Sequence, residues 1–316
     1  MMQQNAARAN IFVLGSFVAA CSAKVLTAPR AGESVAAEAF LLEAGGKGFN
    51  LAAACRRLES AVDGLFAIGD DALSALAEPA LIHAGLPAGM LRRRRGPTGA
   101  GVGFISASGE TWVAVHAGAN MTLGAADARD SGSAIAAADM TIAQFETSDA
   151  VIAEAFALAR ASGRRTLLTP SPFRPIPPAI LSATSILCVN RVEAAALAAQ
   201  LGLPDADDVG ALGAALFPHG PEALVVTLGA EGALAALPDG ALLIQPAFAV
   251  TAVDTLGAGD AFAAGLAVAL CEGHGWTQAL RRAAACGALV ASRFGVFDAL
   301  PARDAVDAMT QDGSRP

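Results

Sequence analysis

The sequence predicts an α/β fold built on a mainly parallel sheet, with a small β-strand excursion set into its first half. Three observations carry that expectation. Strand-like and helix-like patterns alternate from residue 138 onward, two glycine-rich turns each lead into a helical pattern, and paired strand-like pieces without an intervening helix fall near 24–42 and 98–117.

Taken in order, residues 10–17 form a β-rich apolar run, as expected of a central strand covered on both faces. Residues 24–27 and 34–42 are strand-like and are separated by Pro29-Arg30-Ala31-Gly32, a turn sequence. Gly45-Gly46-Lys47-Gly48-Phe49-Asn50 then opens a helical pattern over 51–58. A strand at 62–68 and a helix at 70–84 follow. Residues 101–107 and 111–117, joined by Ser108-Gly109-Glu110, predict a hairpin. Beyond it come a strand at 140–145 with a helix at 148–162, a strand at 166–169 before a proline-rich loop, a strand at 186–189 with a helix at 191–201, and a strand at 223–228. Helices at 258–271 and 277–293 close the fold. No internal repeat is present, and the first nine residues and the tail from Gln311 read as disordered.

Hydrophobic residues make up 54% of the 316 positions and charged ones 16%, but much of the excess is alanine, which favours helix without demanding a membrane. The longest apolar stretches fall short of the roughly 18–20 residues that span a bilayer. A net charge of -8, with residues 92–95 as the one basic run, argues against nucleic acid as a partner. Cys21, Cys55, Cys188, Cys271 and Cys286 form no CxxC pair and no zinc spacing, so they read as buried small hydrophobes in a cytoplasmic protein. One stretch competes with that location. Arg8 and the apolar residues 11–20, ending at Cys21, have the look of a short export signal with a lipoprotein-type cysteine; a single positive charge and the interruption by Gly15 and Ser16 favour a first buried strand instead.

The chemistry concentrates in Val253-Asp254-Thr255-Leu256-Gly257-Ala258-Gly259-Asp260-Ala261-Phe262. Gly257 and Gly259 let the backbone approach a ligand closely, and the helix that follows leaves unpaired NH groups at its positive end, a cradle for phosphate. Asp260, at the same helix start, could accept a proton from a hydroxyl held beside that phosphate. A purely structural role, Asp254 or Asp260 as a cap and the glycines as a turn, is the plainer reading of this stretch when it is taken alone. Gly45 to Asn50 is a second such turn. It is not a P-loop, because Leu41 stands where the first glycine is required and no Ser or Thr follows Lys47.

Together these pieces resemble the PfkB carbohydrate kinase family, over about residues 10–310. The strongest marks are Gly45-Gly46-Lys47-Gly48 with Asn50, and Asp254 through Asp260. Leu14-Gly15-Ser16, His116 to Asn120, Gln144 with Glu146, Asn190 with Glu193, and Thr227-Leu228-Gly229 support them. The resemblance implies a ribokinase-like three-layer α/β/α fold with a small β lid, as a single kinase domain over 1–316 whose lid segments are 24–42 and 98–117. It implies ATP-dependent phosphorylation of a hydroxymethyl group on a sugar or sugar-like compound. A nucleoside kinase of the same family and a sugar-binding regulatory protein without turnover remain alternatives.

By the same resemblance Asp260 is the general base, and backbone NH groups of Gly257, Ala258 and Gly259 form the anion hole. Gly46, Lys47, Asn50 and Glu146 line the sugar site. Asn190, Thr227 and Gly229 lie on the ATP side, Glu193 acts on Mg2+ through water, and Asp254, Leu256 and Gly295 adjoin a monovalent cation, K+. A homodimer through the lid is implied as well. Two departures matter, the first for the substrate and the second for the monovalent cation. Ribokinases carry Asn and Asp where Val18 and Ala20 stand here, and the late loop Arg293-Phe294-Gly295-Val296-Phe297-Asp298 is more apolar than the usual potassium loop.

Overall fold

The computed structural model describes residues 8–107, 110–205 and 207–312. In chain order the strands are β1 (Asn10–Leu14), β2 (Val18–Val25), β3 (Ala37–Gly45), β4 (Ala61–Ile68), β5 (Leu91–Arg93), β6 (Gly99–Ser106), β7 (Thr111–His116), β8 (Met140–Gln144), β9 (Arg165–Thr169), β10 (Ile186–Asn190), β11 (Ala223–Thr227), β12 (Ala233–Ala236) and β13 (Leu242–Gln245). The helices are α1 (Lys47–Arg57), α2 (Ala77–His83), α3 (Ala125–Asp130), α4 (Gly132–Ala137), α5 (Asp149–Ala161), α6 (Pro178–Ser182), α7 (Arg191–Gln200), α8 (Val209–Leu216), α9 (Ala258–Cys271), α10 (Trp276–Ala291) and α11 (Arg303–Asp312).

Nine strands form one sheet in the order β13-β12-β11-β10-β9-β8-β1-β4-β5, parallel from β11 to β5, with β12 and β13 antiparallel at the other edge. β1 shows why the sheet is buried. Ile11 and Val13 belong to the core beneath α1, α2, α9, α10 and α11, while Phe12 and Leu14 belong to the opposite core beneath α3 to α8. Alternating side chains thus meet a helical layer on each face, which gives three layers. The alanine excess goes into helix packing: at Gly265 of α9 a Cβ would lie 2.7 Å from Cys286 Sγ and 3.1 Å from Ala283 Cα of α10. Among the described residues no helix is long and apolar enough to cross a membrane.

Four strands form a separate sheet, β3-β2-β6-β7, the lid. Its boundaries correct the sequence expectation. The run at 10–17 is not one strand: β1 ends at Leu14 and β2 begins at Val18, so the lid opens at 18 rather than 24 and its second strand runs to Gly45 rather than 42. The break has a physical cause. Pairing with β4 ends with Gly15 NH on Leu65 O at 3.2 Å, and the buried Asn120 side chain then clasps Phe17, accepting from its NH at 3.1 Å and donating to its carbonyl at 2.8 Å. Asn120 also accepts from Ala67 NH at 3.2 Å and donates to Ala117 O at 2.8 Å, so one side chain ties the entry to β2 and the exit from β7 to the sheet.

Other differences are local. The helix expected at 70–84 starts as a 3-10 turn, Ala72–Leu76, before α2. The β12–β13 hairpin, α8 and α11 were not anticipated. The segment weighed as an export signal is built into β1 and β2. Of the ends expected to be disordered, residues 1–7 and 313–316 lie outside the described residues, as do Ser108 and Gly109 of the hairpin turn. Ala9 is buried, and Gln311 belongs to α11.

Candidate active site

The site gathers at the carboxyl ends of the parallel strands, where ligands bind in open α/β sheets. The first glycine turn reaches it by backbone contact. Gly46 has φ +96°, and a Cβ there would lie 2.8 Å from Ser16 O; one on Gly48 would lie 2.3 Å from Ser16 N. Only bare backbone lets the start of α1 press against the end of β1 in this way. That approach delivers the first turn of α1 to Glu146, which follows β8. Glu146 is buried, accepts from Lys47 NH at 3.0 Å, and also takes the Ser16 hydroxyl.

One turn into α1, Asn50 Nδ2 donates to Asp260 Oδ2 at 3.0 Å. The other polar side-chain atom, Asn50 Oδ1, is buried without a hydrogen-bond partner among the described residues. Such an acceptor is costly unless a ligand hydroxyl meets it, by about 1–3 kcal/mol. Asp260 stands in the first turn of α9. Solvent still reaches part of it, but the surrounding protein raises its pKa, while Lys47 and the Asn50 hydrogen bond pull it back down. Reciprocally, Asp260 raises the Lys47 pKa against the cost of burial, with Glu146 and Glu193 adding to the effect.

Gly257 caps α9 in the left-handed conformation, φ +76°, and the place of its absent Cβ is 2.4 Å from Val296 Cγ1. Ala258 NH closes a turn onto Thr255 O at 3.3 Å. Gly257 NH and Gly259 NH have no backbone acceptor among the described residues, and they sit at the positive end of a 14-residue helix. Asp254 braces this turn from behind, accepting from Leu256 NH at 3.0 Å and Gly295 NH at 3.3 Å. The loop that carries Gly295 is anchored by Phe297, which stacks on Phe49 of α1 at 5.6 Å and lies under the Arg57 guanidinium at 4.8 Å.

On the far side, β10 and β11 place Asn190 directly beside Thr227. Asn190 and Glu193 form a reciprocal cap on α7, each side chain accepting from the other's NH at 2.9 Å. Thr227 donates to Val189 O at 3.4 Å, and Gly229, φ +60°, faces open space. The structure therefore brings Lys47, Asn50, Glu146 and Asp260 together directly, and Asp254, Leu256 and Gly295 together behind them. Asn190, Glu193, Thr227 and Gly229 form a neighbouring group, joined to the first by the field of Glu193 on Lys47.

Among the described residues no group of three or more His, Cys, Asp or Glu could hold a metal ion. All five cysteines are free thiols, and burial pushes those of Cys188, Cys271 and Cys286 up to about 12, as suits inert core residues. The sequence reading passed over Glu43. It ended the strand at 42, although Ala39, Leu41, Glu43 and Gly45 share one parity of β3. Ser16 was noticed only as part of a motif, without its bond to Glu146.

The family model described as pfkB family carbohydrate kinase matches residues 8–303. Ribokinase from Bacillus subtilis is 30% identical over 302 residues, 94% of this chain and 98% of that protein. Deoxyribokinase from Salmonella typhi is 29% identical over 258 residues, 80% of this chain and 83% of that protein. Among solved structures, Arabidopsis thaliana ribokinase complexed with ribose and ATP superposes with a TM-score of 0.87 at 26% identity, covering 96% of this chain and 99% of that one.

Proposed function

The chain belongs to the pfkB family of carbohydrate kinases and is an ATP-dependent sugar kinase, and on that premise we propose how its residues divide the work. Asp260 is the general base, taking the proton of an acceptor hydroxymethyl group. The observation that carries this is the Asn50 to Asp260 hydrogen bond, which unites the two glycine turns around one carboxylate. Burial raises the affinity of that carboxylate for a proton, and Lys47 and the Asn50 hydrogen bond oppose that rise.

Magnesium-bound ATP supplies the phosphoryl group. Its transfer asks the protein chiefly for positioning and charge stabilisation. Gly257 NH and Gly259 NH supply donors for the developing charge; Ala258 NH, also implied in the anion hole, is drawn toward Thr255 O and serves the turn as well. Gly46, Lys47, Asn50 and Glu146 hold the acceptor. Asn190, Thr227 and Gly229 hold the nucleotide, the open space beside Gly229 leaving room for it. A magnesium ion held mostly by triphosphate oxygens and water needs few protein carboxylates, and Glu193 suits that role at one remove. Asp254, Leu256 and Gly295 would form the wall of a potassium site behind the turn.

We read the chain as one kinase domain with an inserted lid. The lid face bearing Phe40, Leu42, Val102 and Trp112, all exposed, pairs with a second copy. Five unpaired cysteines fit a cytoplasmic site of action. ADP release measured across pentoses, hexoses and nucleosides, with and without potassium, tests the assignment. Turnover confined to nucleosides would replace the sugar by a base-bearing acceptor.

A further inference from the structure

The lid face that covers the site is read from strand register. Val18 pairs with Gly45 and Gly99; Ala20 pairs with Glu43 and Gly101; Ser22 pairs with Leu41 and Gly103. Residues in register project to the same side of a sheet, so these three rows form one surface. It faces the catalytic turns. The Val18 amide is 3.0 Å from the place of the absent Gly46 Cβ. The groups acting on Glu43 are Asp298 and the Val296 backbone, on the late loop that packs against Gly257, and Asp254, just before the Gly257 turn.

Within this surface Val18, Ala20, Gly101 and Gly103 offer no side-chain hydrogen bond. An acceptor hydroxyl turned toward them would lose its water partners and gain none. Glu43 is the one ionisable side chain in the three rows. An ionised carboxylate only accepts hydrogen bonds, and the charged groups acting on this one among the described residues are both carboxylates.

We propose that Glu43 selects the acceptor, its carboxylate taking a hydrogen-bond donor, hydroxyl or ammonium, on a hydroxymethyl compound that is deoxygenated or apolar where it meets Val18 and Ala20. The proposal rests on the assignment of Asp260 as base at the opposite end of the same acceptor. A donor from the ligand adds to the one backbone hydrogen bond that the Val296 NH gives this carboxylate. Glu43 is a specificity-determining residue and takes no part in the transfer.

The test compares the wild-type chain with Glu43→Ala, Glu43→Gln, Glu38→Ala and Asp260→Asn, using D-ribose, 2-deoxy-D-ribose, D-fructose and D-glucosamine at saturating magnesium-ATP, with ADP release as the readout. On the preferred acceptor, Glu43→Ala should raise KM roughly 10-fold or more, the loss of one charge-assisted hydrogen bond, with kcat and the KM for ATP nearly unchanged. Glu43→Gln should recover much of the loss if the donor is a hydroxyl, and little if it is the ammonium of glucosamine. Glu38→Ala, on the exposed part of the same strand, should match wild type. Three results would overturn the proposal: an unchanged acceptor KM, an equal loss on every acceptor, or a change in potassium requirement in place of acceptor KM. An active wild type with an indifferent Glu43→Ala removes the Glu43 role alone. A wild type no more active than Asp260→Asn on every acceptor removes the base assignment and, with it, this proposal.

Discussion

Asn50 Nδ2 donates to Asp260 Oδ2 across 3.0 Å, joining the first turn of α1 to the first turn of α9 over 210 residues of sequence. Each turn alone is an ordinary helix start with glycines. Joined, they hold a carboxylate between a hydrogen-bond donor and the Lys47 ammonium, in surroundings that favour its protonated form. A base needs that balance: ionised before reaction, yet willing to take a proton.

Asp260→Asn tests the base directly. The amide keeps the shape and can still meet Asn50, but it cannot accept the acceptor's proton. We expect kcat to fall by about 10²–10⁴-fold, the usual contribution of a positioned base, while acceptor KM changes little. ADP release under saturating conditions measures it, and a variant retaining most of the wild-type rate would remove Asp260 from the chemistry.

Lys47 should reveal itself in the pH profile. Asp260 is active only when ionised. Burial raises its pKa and Lys47 lowers it. Lys47→Met removes the lowering influence, so Asp260 should hold its proton to higher pH and the acid limb of kcat/KM should move upward. Lys47→Arg, which keeps the charge, should move it less. A profile measured from acidic to mildly alkaline pH that stays in place for Lys47→Met would show that the two groups do not communicate.

Much of this was readable from residue order because the chemistry sits in contiguous turns. Gly45 to Asn50 and Asp254 to Asp260 each carry their own backbone requirement, and βα alternation places both at the same sheet edge. What stayed hidden depends on register and on distant packing. Glu43 gains a role only once β3 is aligned beside Ala20. The end of β1 at Leu14 depends on Asn120, more than 100 residues away, clasping Phe17. The β12–β13 hairpin escaped notice because Ala233 to Ala236 is alanine-rich, a composition that suggests helix. Its pairing to β11 overrides that propensity.

Gly257→Ala meets two obstacles. At φ +76° a side chain is strained by about 1 kcal/mol, and the added methyl would sit 2.4 Å from Val296 Cγ1. The anion hole must shift or the late loop must yield. We expect a loss of thermal stability together with a fall in kcat. Adding Val296→Ala should restore part of the stability by removing the steric share, leaving the dihedral share behind. If the double variant is no better than the single one, the contact with Val296 does not restrain the turn.

The lid face carrying Phe40 and Trp112 should control association. These residues lie in one register row, at 67% and 44% exposure, with Val102 and Leu42 in the next row. An apolar sheet surface of this kind is normally covered. Phe40→Ser with Trp112→Ser should shift sedimentation velocity from dimer toward monomer without unfolding the core, which shares no side chain with that face. A wild-type chain that sediments as a monomer at all concentrations would refute the pairing.

Glu193 combines two roles that can be separated. Its carboxylate accepts from Asn190 NH at 2.9 Å and so helps start α7, while its charge reaches the Lys47 side of the site. Glu193→Gln preserves an acceptor for Asn190 NH and removes the charge. Glu193→Ala removes both, and the lost hydrogen bond to the Asn190 NH should cost about 0.5–1.5 kcal/mol of stability. If the charge serves magnesium through water, both variants should need more free Mg2+ for half-maximal rate, while only the alanine variant melts at a clearly lower temperature. Should Glu193→Gln match wild type across a magnesium titration, the residue is a helix cap and nothing more. The glutamine variant decides the matter, because it changes electrostatics while leaving the cap in place.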